Sequence, residues 1–146
     1  MPTQNTTNII VNLQIEGIHR WPAAREKRPE VGYLADPHRH MFHICCKKPV
    51  FHNDRDVEFI LFKRQIIDYL ERQYKTYDGY RIHDFRSMSC EAIAKELADV
   101  FGLCYCAVTE DGENGAEYFK DVKWQQGLSV EDEDELNQLR TQSFEI

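Results

Sequence analysis

The stretch His38-Arg39-His40-Met41-Phe42-His43-Ile44-Cys45-Cys46 decides how this chain is read. Its residues alternate: His38, His40, Phe42, Ile44 and Cys46 fall on one side of an extended backbone, Arg39, Met41, His43 and Cys45 on the other. That period is expected of a strand, continued here to Val50. Upstream, Ile9, Val11, Leu13 and Ile15 alternate with Ile10, Asn12, Gln14 and Glu16, which predicts a first strand from about Ile9 to Glu16. Between the two, Gly17, Pro22, Pro29, Gly32 and Pro37 punctuate a long loop, and long loops in small domains commonly carry function.

Downstream of the second strand, His52-Asn53-Asp54-Arg55-Asp56 is turn chemistry. Phe59, Phe62, Ile66, Tyr69 and Leu70 then follow helical spacing, predicting a helix that ends near Tyr74. Ser89 suits an N-cap and Glu91 the first turn of a second helix, whose apolar face carries Cys90, Ile93, Ala94, Leu97, Ala98 and Phe101 and which Gly102 stops. Leu103 to Thr109 and Ala116 to Val122 flank the turn Asp111-Gly112-Glu113-Asn114-Gly115 and read as a closing hairpin. The order ββααββ implies an α+β domain: a four-stranded antiparallel sheet with two helices on one face. Its open edges invite subunits to pair edge to edge, so a homo-oligomer is expected. Residues 8–122 form the expected folded unit, with a flexible N-terminus at 1–7 and an acidic C-terminal tail at 123–146 that contains Glu131 to Glu135.

Composition narrows the function classes. A chain of 146 residues with 42% apolar and 29% charged residues suits one folded domain. Its net charge of -7 disfavours sequence-independent nucleic-acid binding. The basic run Arg20, Arg25, Lys27 and Arg28 still allows a small anionic ligand near the loop. Five cysteines, an odd count without a Cys-x-x-Cys pair, read as reduced thiols in a cytoplasmic setting. The polar start and the lack of a run of about 18 apolar residues argue against secretion and membrane insertion.

Two imidazoles at His38 and His40 share one strand face, close enough to share a metal ion. His19 follows the first strand in phase with Ile9 to Ile15, so the neighbouring strand can supply a third nitrogen. Three histidines leave a coordination position open, the arrangement of catalytic zinc. On spacing alone, a polar strand edge beside an ordinary loop histidine accounts for the same residues. His43 faces the other way and His52 lies in a turn, so both are read as structural. Cys104 and Cys106 share a strand face and could compete as ligands, but packing is the preferred reading for them.

From about Leu13 to Tyr118 the chain resembles the family of 6-pyruvoyltetrahydropterin synthase and 6-carboxytetrahydropterin synthase, whose fold is called the tunnelling fold. The family's first-strand His-Arg and second-strand His-x-His are matched by His19-Arg20 and His38-Arg39-His40. Its two helix starts look like Glu58-Phe59-Ile60-Leu61-Phe62-Lys63 and Ser89-Cys90-Glu91-Ala92-Ile93-Ala94, and its hairpin Glu corresponds to Glu110 in Val108-Thr109-Glu110-Asp111. The resemblance implies a zinc ion on His19, His38 and His40, a pterin- or purine-like ligand held by Glu110, Glu91 and Arg20, and subunits joined into an oligomeric barrel, often a hexamer. A carboxylate suits ring recognition because it accepts two hydrogen bonds from an amino-pyrimidinone edge.

The chain departs from the family at two places. The catalytic Cys expected four residues before the His-x-His is Leu34. The segment that supplies an Asp-His proton relay has no clear counterpart between Tyr77 and Met88, where His83 and Asp84 are the nearest substitutes and the candidate catalytic pair. Tyr33 and Asp36 are further candidates that would need a perturbed pKa. Two functions are therefore expected to compete: a zinc-dependent lyase-type enzyme acting on a pterin or related purine-like ligand, and a non-catalytic relative that keeps the metal and the ring site.

Overall fold

In the computed structural model, which describes residues 6–75 and 81–121, the two alternating segments form long strands β1 (Thr7–His19) and β2 (His38–Val50). They pair antiparallel without a bulge, from Thr7 opposite Val50 to His19 opposite His38. β1 therefore runs through Gly17, where a strand end was expected. The glycine is a close-approach residue: a Cβ there would lie 2.7 Å from the Phe85 ring and 3.0 Å from Phe42. The segment beyond His19 is not extended loop throughout. It contains the one-turn helix α1 (Ala24–Lys27), which buries Ala24, and irregular 3₁₀ turns over Pro29–Ala35 that kink at Val31.

Helices α2 (Phe59–Gln73) and α3 (Cys90–Phe101) start where the sequence places them. The Glu58 carboxylate accepts from the Leu61 N–H at 2.7 Å, and the Ser89 hydroxyl accepts from Ala92 N–H at 3.1 Å, so each helix has a side-chain N-cap. Gly102 takes the left-handed conformation, φ 64°, that terminates α3. Phe62, Ile66, Leu70, Ile93, Leu97 and Phe101 lie buried against Val11, Leu13, Phe42, Ile44, Cys46 and Val108 of the sheet. Both helices thus share one core. Among the described residues, no helix is long and apolar enough to cross a membrane.

The closing hairpin is β4 (Tyr105–Glu110) and β5 (Asn114–Phe119), while Val122 lies outside the described residues, as do 1–5 and 123–146 of the expected termini. The expected four-stranded antiparallel sheet is corrected to five strands. A two-residue strand β3 (His83–Asp84) pairs parallel with Gly17 and Ile18, giving the order β3-β1-β2-β4-β5. Its Phe85 N–H donates to the Ile18 carbonyl at 2.9 Å, and the Phe85 ring fills the space over Gly17. Two residues carry no periodicity, so no pattern could have announced this strand. Gly17→Ala is expected to destabilise the fold by about 1–3 kcal/mol, because both rings are wholly buried and cannot retreat. Urea unfolding of the two proteins measures it, and an unchanged midpoint would show that Phe85 can move aside.

Candidate metal centre

The register of β1 and β2 builds the site. His19 ends β1 directly opposite His38, and His40 lies two residues further along β2, opposite the side-chain-free Gly17. All three side chains take the core side of the sheet, at the end where the helical cover stops. The ring centroids are 4.5 Å apart for His19 and His38, 5.1 Å for His38 and His40, and 5.4 Å for His19 and His40. One nitrogen from each ring falls within 4.8 Å of the others, a group that could hold a metal ion. Phe42 packs edge-on beneath His19 and His40.

A different element fixes each ring. His19 Nδ1 lies 2.8 Å from the Met88 carbonyl, just before α3. His38 Nδ1 lies 2.9 Å from the Asp36 carbonyl, and His40 Nδ1 lies 2.7 Å from Asp111 Oδ2 in the β4–β5 turn. A carbonyl or carboxylate oxygen only accepts, so each Nδ1 carries the proton and donates it. Each Nε2 is then a bare lone pair, the form that binds a metal, and this outer shell orients the rings as in known zinc–histidine sites. Nε2 of His19 and of His40 are buried without a hydrogen-bond partner. Such atoms are costly unless something electron-poor sits between them. The donor set therefore fits a borderline divalent ion, zinc among them.

Asp111 does more than hold one ring. Its other oxygen accepts the Met41 N–H at 3.0 Å, so the carboxylate clamps His40 and the next peptide together. These N–H groups, the Met41 amide first and His40 next, hold its carboxyl below the usual carboxylate range. Burial lowers the His19 pKa, with the Met88 carbonyl opposing, which keeps that ring neutral in the form a metal requires.

A cavity of about 520 Å³ opens beside the group, lined by His19, Arg20, His38, Cys90, Glu91 and Glu110 among others. Arg20, Glu91 and Glu110, the residues assigned to a ligand, thus share one cavity with two of the histidines. Leu34, standing where the family's thiol is expected, lines it too. Cys90 is the residue sequence reasoning passed over. Its thiol lies 3.8 Å from Glu110 Oε2 and is pushed up to about 12 by burial and then by the Glu110 and Glu91 carboxylates. The available signal was its place between the Ser89 cap and Glu91. A second cavity of about 500 Å³, lined by Asn12, Gln14, His43, Cys45 and Lys63 among others, does not include the metal group.

His83 and Asp84 are not among the lining residues. The His83 ring is buried and stacked on Phe85, with Nδ1 3.4 Å from the Glu16 carbonyl. Asp84 accepts from the Arg86 N–H at 2.8 Å and faces Arg20 at 3.7 Å. Both side chains are thus engaged by neighbours while standing outside the cavity lining. Tyr33 is exposed, and Asp36 is paired with Arg25 at 2.7 Å, away from the cavity lining.

No protein-family model and no curated protein sequence matches the chain. Among solved structures, the chain is similar to an uncharacterized protein from Wolinella succinogenes, with 10% identity and a TM-score of 0.49 over 81% of this chain and 100% of that one.

Two outcomes are expected. If the group holds a divalent ion, Asp111→Ala should weaken its binding about 10–100-fold in a chelator competition run with zinc, since it frees His40 to turn. An unchanged affinity would mean that packing alone orients the ring. The second concerns acid stability: burial lowers the His83 pKa from its ordinary 6.5. Below pH 6.5 the unfolded chain then takes up a proton that the folded chain refuses, so stability is full above that pH and falls as pH drops through the window. His83→Gln should flatten this slope in urea titrations at successive pH values, and an identical slope would remove His83 as its source.

Proposed function

We propose that the site binds one zinc ion on His19, His38 and His40 and beside it a pterin- or purine-like heterocycle, acting on that ligand as a lyase-type enzyme similar to the 6-pyruvoyltetrahydropterin synthase family. The observation that carries this reading is a group of three imidazoles, two of them with unpartnered nitrogens, beside a cavity that His19, His38, Glu91 and Glu110 line. A planar ring with an amino-pyrimidinone edge presents adjacent donors, and the Glu110 carboxylate offers the matching acceptors, with Glu91 beside it at the start of α3. Arg20 supplies the positive charge for an anionic substituent. Bound zinc supplies Lewis-acid polarisation of a substrate oxygen. Subunits pairing through the open sheet edges as a homo-oligomeric barrel, in a reducing cytoplasm that suits five unpaired thiols, complete the proposal.

One observation favours the second reading, ligand binding without turnover. His83 and Asp84 are not among the cavity-lining residues, and the cavity's own thiol, Cys90, is pushed far above neutrality. Elemental analysis should find about one zinc per chain. Calorimetry with reduced pterins should show binding that Glu91→Ala and Glu110→Ala each weaken at least about tenfold, the loss of one to two hydrogen bonds to a charged group. A native protein without metal, or without affinity for any pterin or purine, sinks the reading. Binding without side-chain cleavage decides for the non-catalytic relative.

A further inference from the structure

The Glu110 side chain stands closer to the histidines than ring recognition requires. Glu110 pairs with Phe42 across the β2–β4 ladder, which aims its carboxylate along the same face as His40. Oε2 lies 2.9 Å from His19 Nε2, and Oε1 lies 3.5 Å from His40 Nε2. Neither approach is a hydrogen bond: both nitrogens remain without a partner, and their rings already carry the proton on Nδ1. The carboxylate thus faces two lone pairs at short range, an arrangement that repels unless a cation lies among the three groups.

The separations fit that explanation. Four ligands bound to zinc at 2.0–2.2 Å with tetrahedral angles stand about 3.3–3.5 Å from one another. Of the two observed contacts, 3.5 Å falls at that spacing and 2.9 Å lies somewhat inside it. The group of metal-ligating atoms within 4.8 Å of one another is His19, His38 and His40, and the Glu110 carboxylate closes on it from the His19 and His40 side, with the Cys90 thiol 3.8 Å from Oε2 on the same wall.

We propose that Glu110 is the fourth ligand of the metal in the ligand-free protein, so that the metal and the heterocycle compete for one carboxylate. The first half rests on the metal reading and on the Glu110 contacts to His19 and His40, whereas the second also rests on the ring reading above. A carboxylate that closes the coordination sphere keeps water off the metal until a ring arrives. When a ring engages both oxygens, a coordination position opens beside the bound ligand. Arrival of the heterocycle is then what exposes the metal.

The test uses the full chain loaded with zinc, and with cobalt as a coloured substitute. Glu110→Gln keeps the shape but lowers ligand strength. It should weaken zinc binding at least about tenfold in chelator competition and change the intensity of the cobalt visible bands, which report coordination number. In the metal-free protein the order of stability reverses, because the Gln amide can donate to the bare Nε2 atoms: metal-free Glu110→Gln should melt no lower than the metal-free parent, yet gain less on adding zinc. Glu110→Asp, with a shorter carboxylate, serves if Glu110→Gln does not fold, and should likewise weaken zinc binding and change the cobalt bands. Glu113→Gln, in the exposed turn, should change none of these readings. Unaltered zinc affinity and cobalt bands in the Glu110 variants overturn the proposal and leave an imidazole–carboxylate pair without a shared metal.

Adding a reduced pterin to the cobalt protein separates the two claims. A change in the bands supports competition for the carboxylate. No change, with Glu110→Gln still weakening zinc, keeps Glu110 as a ligand and overturns the competition. Pterin binding with zinc affinity indifferent to Glu110 overturns the fourth ligand while the proposed function stands.

Discussion

The unbroken ladder between β1 and β2 is the constraint on which the rest depends. A slip of one residue would turn His19 toward the opposite side of the sheet from His38 and His40. The ladder stays in register past Glu16 because Gly17 accepts the Phe85 ring in place of a side chain of its own. The same ring belongs to the segment that adds β3 to the sheet edge and that delivers Met88, whose carbonyl fixes His19. A packing contact and the orientation of an imidazole are thereby parts of one arrangement.

That coupling shapes the energetics of the site. The three rings are held by the stretch before α3, the end of the 3₁₀ turns and the β4–β5 turn, which are far apart in sequence. No two of these are set by a short stretch of chain, so the site exists only in the folded state, and ion binding adds directly to folding free energy. Conversely, buried imidazoles with their lone pairs unpartnered are a burden on the metal-free fold. The hydrophobic layer of Phe42 and Phe85 behind them carries that burden, being wholly buried and packed edge to face.

How much of this was legible in the sequence follows from the range of each signal. The two long strands, the two main helices and the Ser89 and Gly102 caps rest on local period and capping chemistry and appear where expected, with β1 running on to His19 and Glu58 capping α2 as additions. The histidine group was legible because two ligands are on one strand and the third is in phase on its neighbour. β3 was not, since two residues have no period, and its pairing comes from a ring docking on a distant glycine. Asp111 read as turn chemistry, which it is, with φ 58°. Its second role depends on the turn folding back over His40, a long-range contact that no local pattern encodes. His83 and Asp84 drew notice because they are adjacent and titratable, whereas their pairing with β1 and the stacking of His83 on Phe85 follow from long-range packing that adjacency does not encode.

Cys90 shows how a departure in sequence can redistribute chemistry without restoring it. A thiol absent at Leu34 is matched by one at the start of α3 lining the same cavity, but the two places differ electrostatically. The N-terminus of a helix favours a thiolate, whereas burial and two neighbouring carboxylates disfavour it. The balance lies with the latter, pushing the thiol up to about 12, so near neutrality Cys90 can donate a hydrogen bond to Glu110 and cannot take a proton from a ligand. Any proton abstraction at this site would then fall to another group, and Glu110 could serve only when engaged by neither the proposed ring nor the proposed metal. A catalytic cycle built on these residues would have to move one carboxylate between partners. That demand separates this site from one built around a free thiolate.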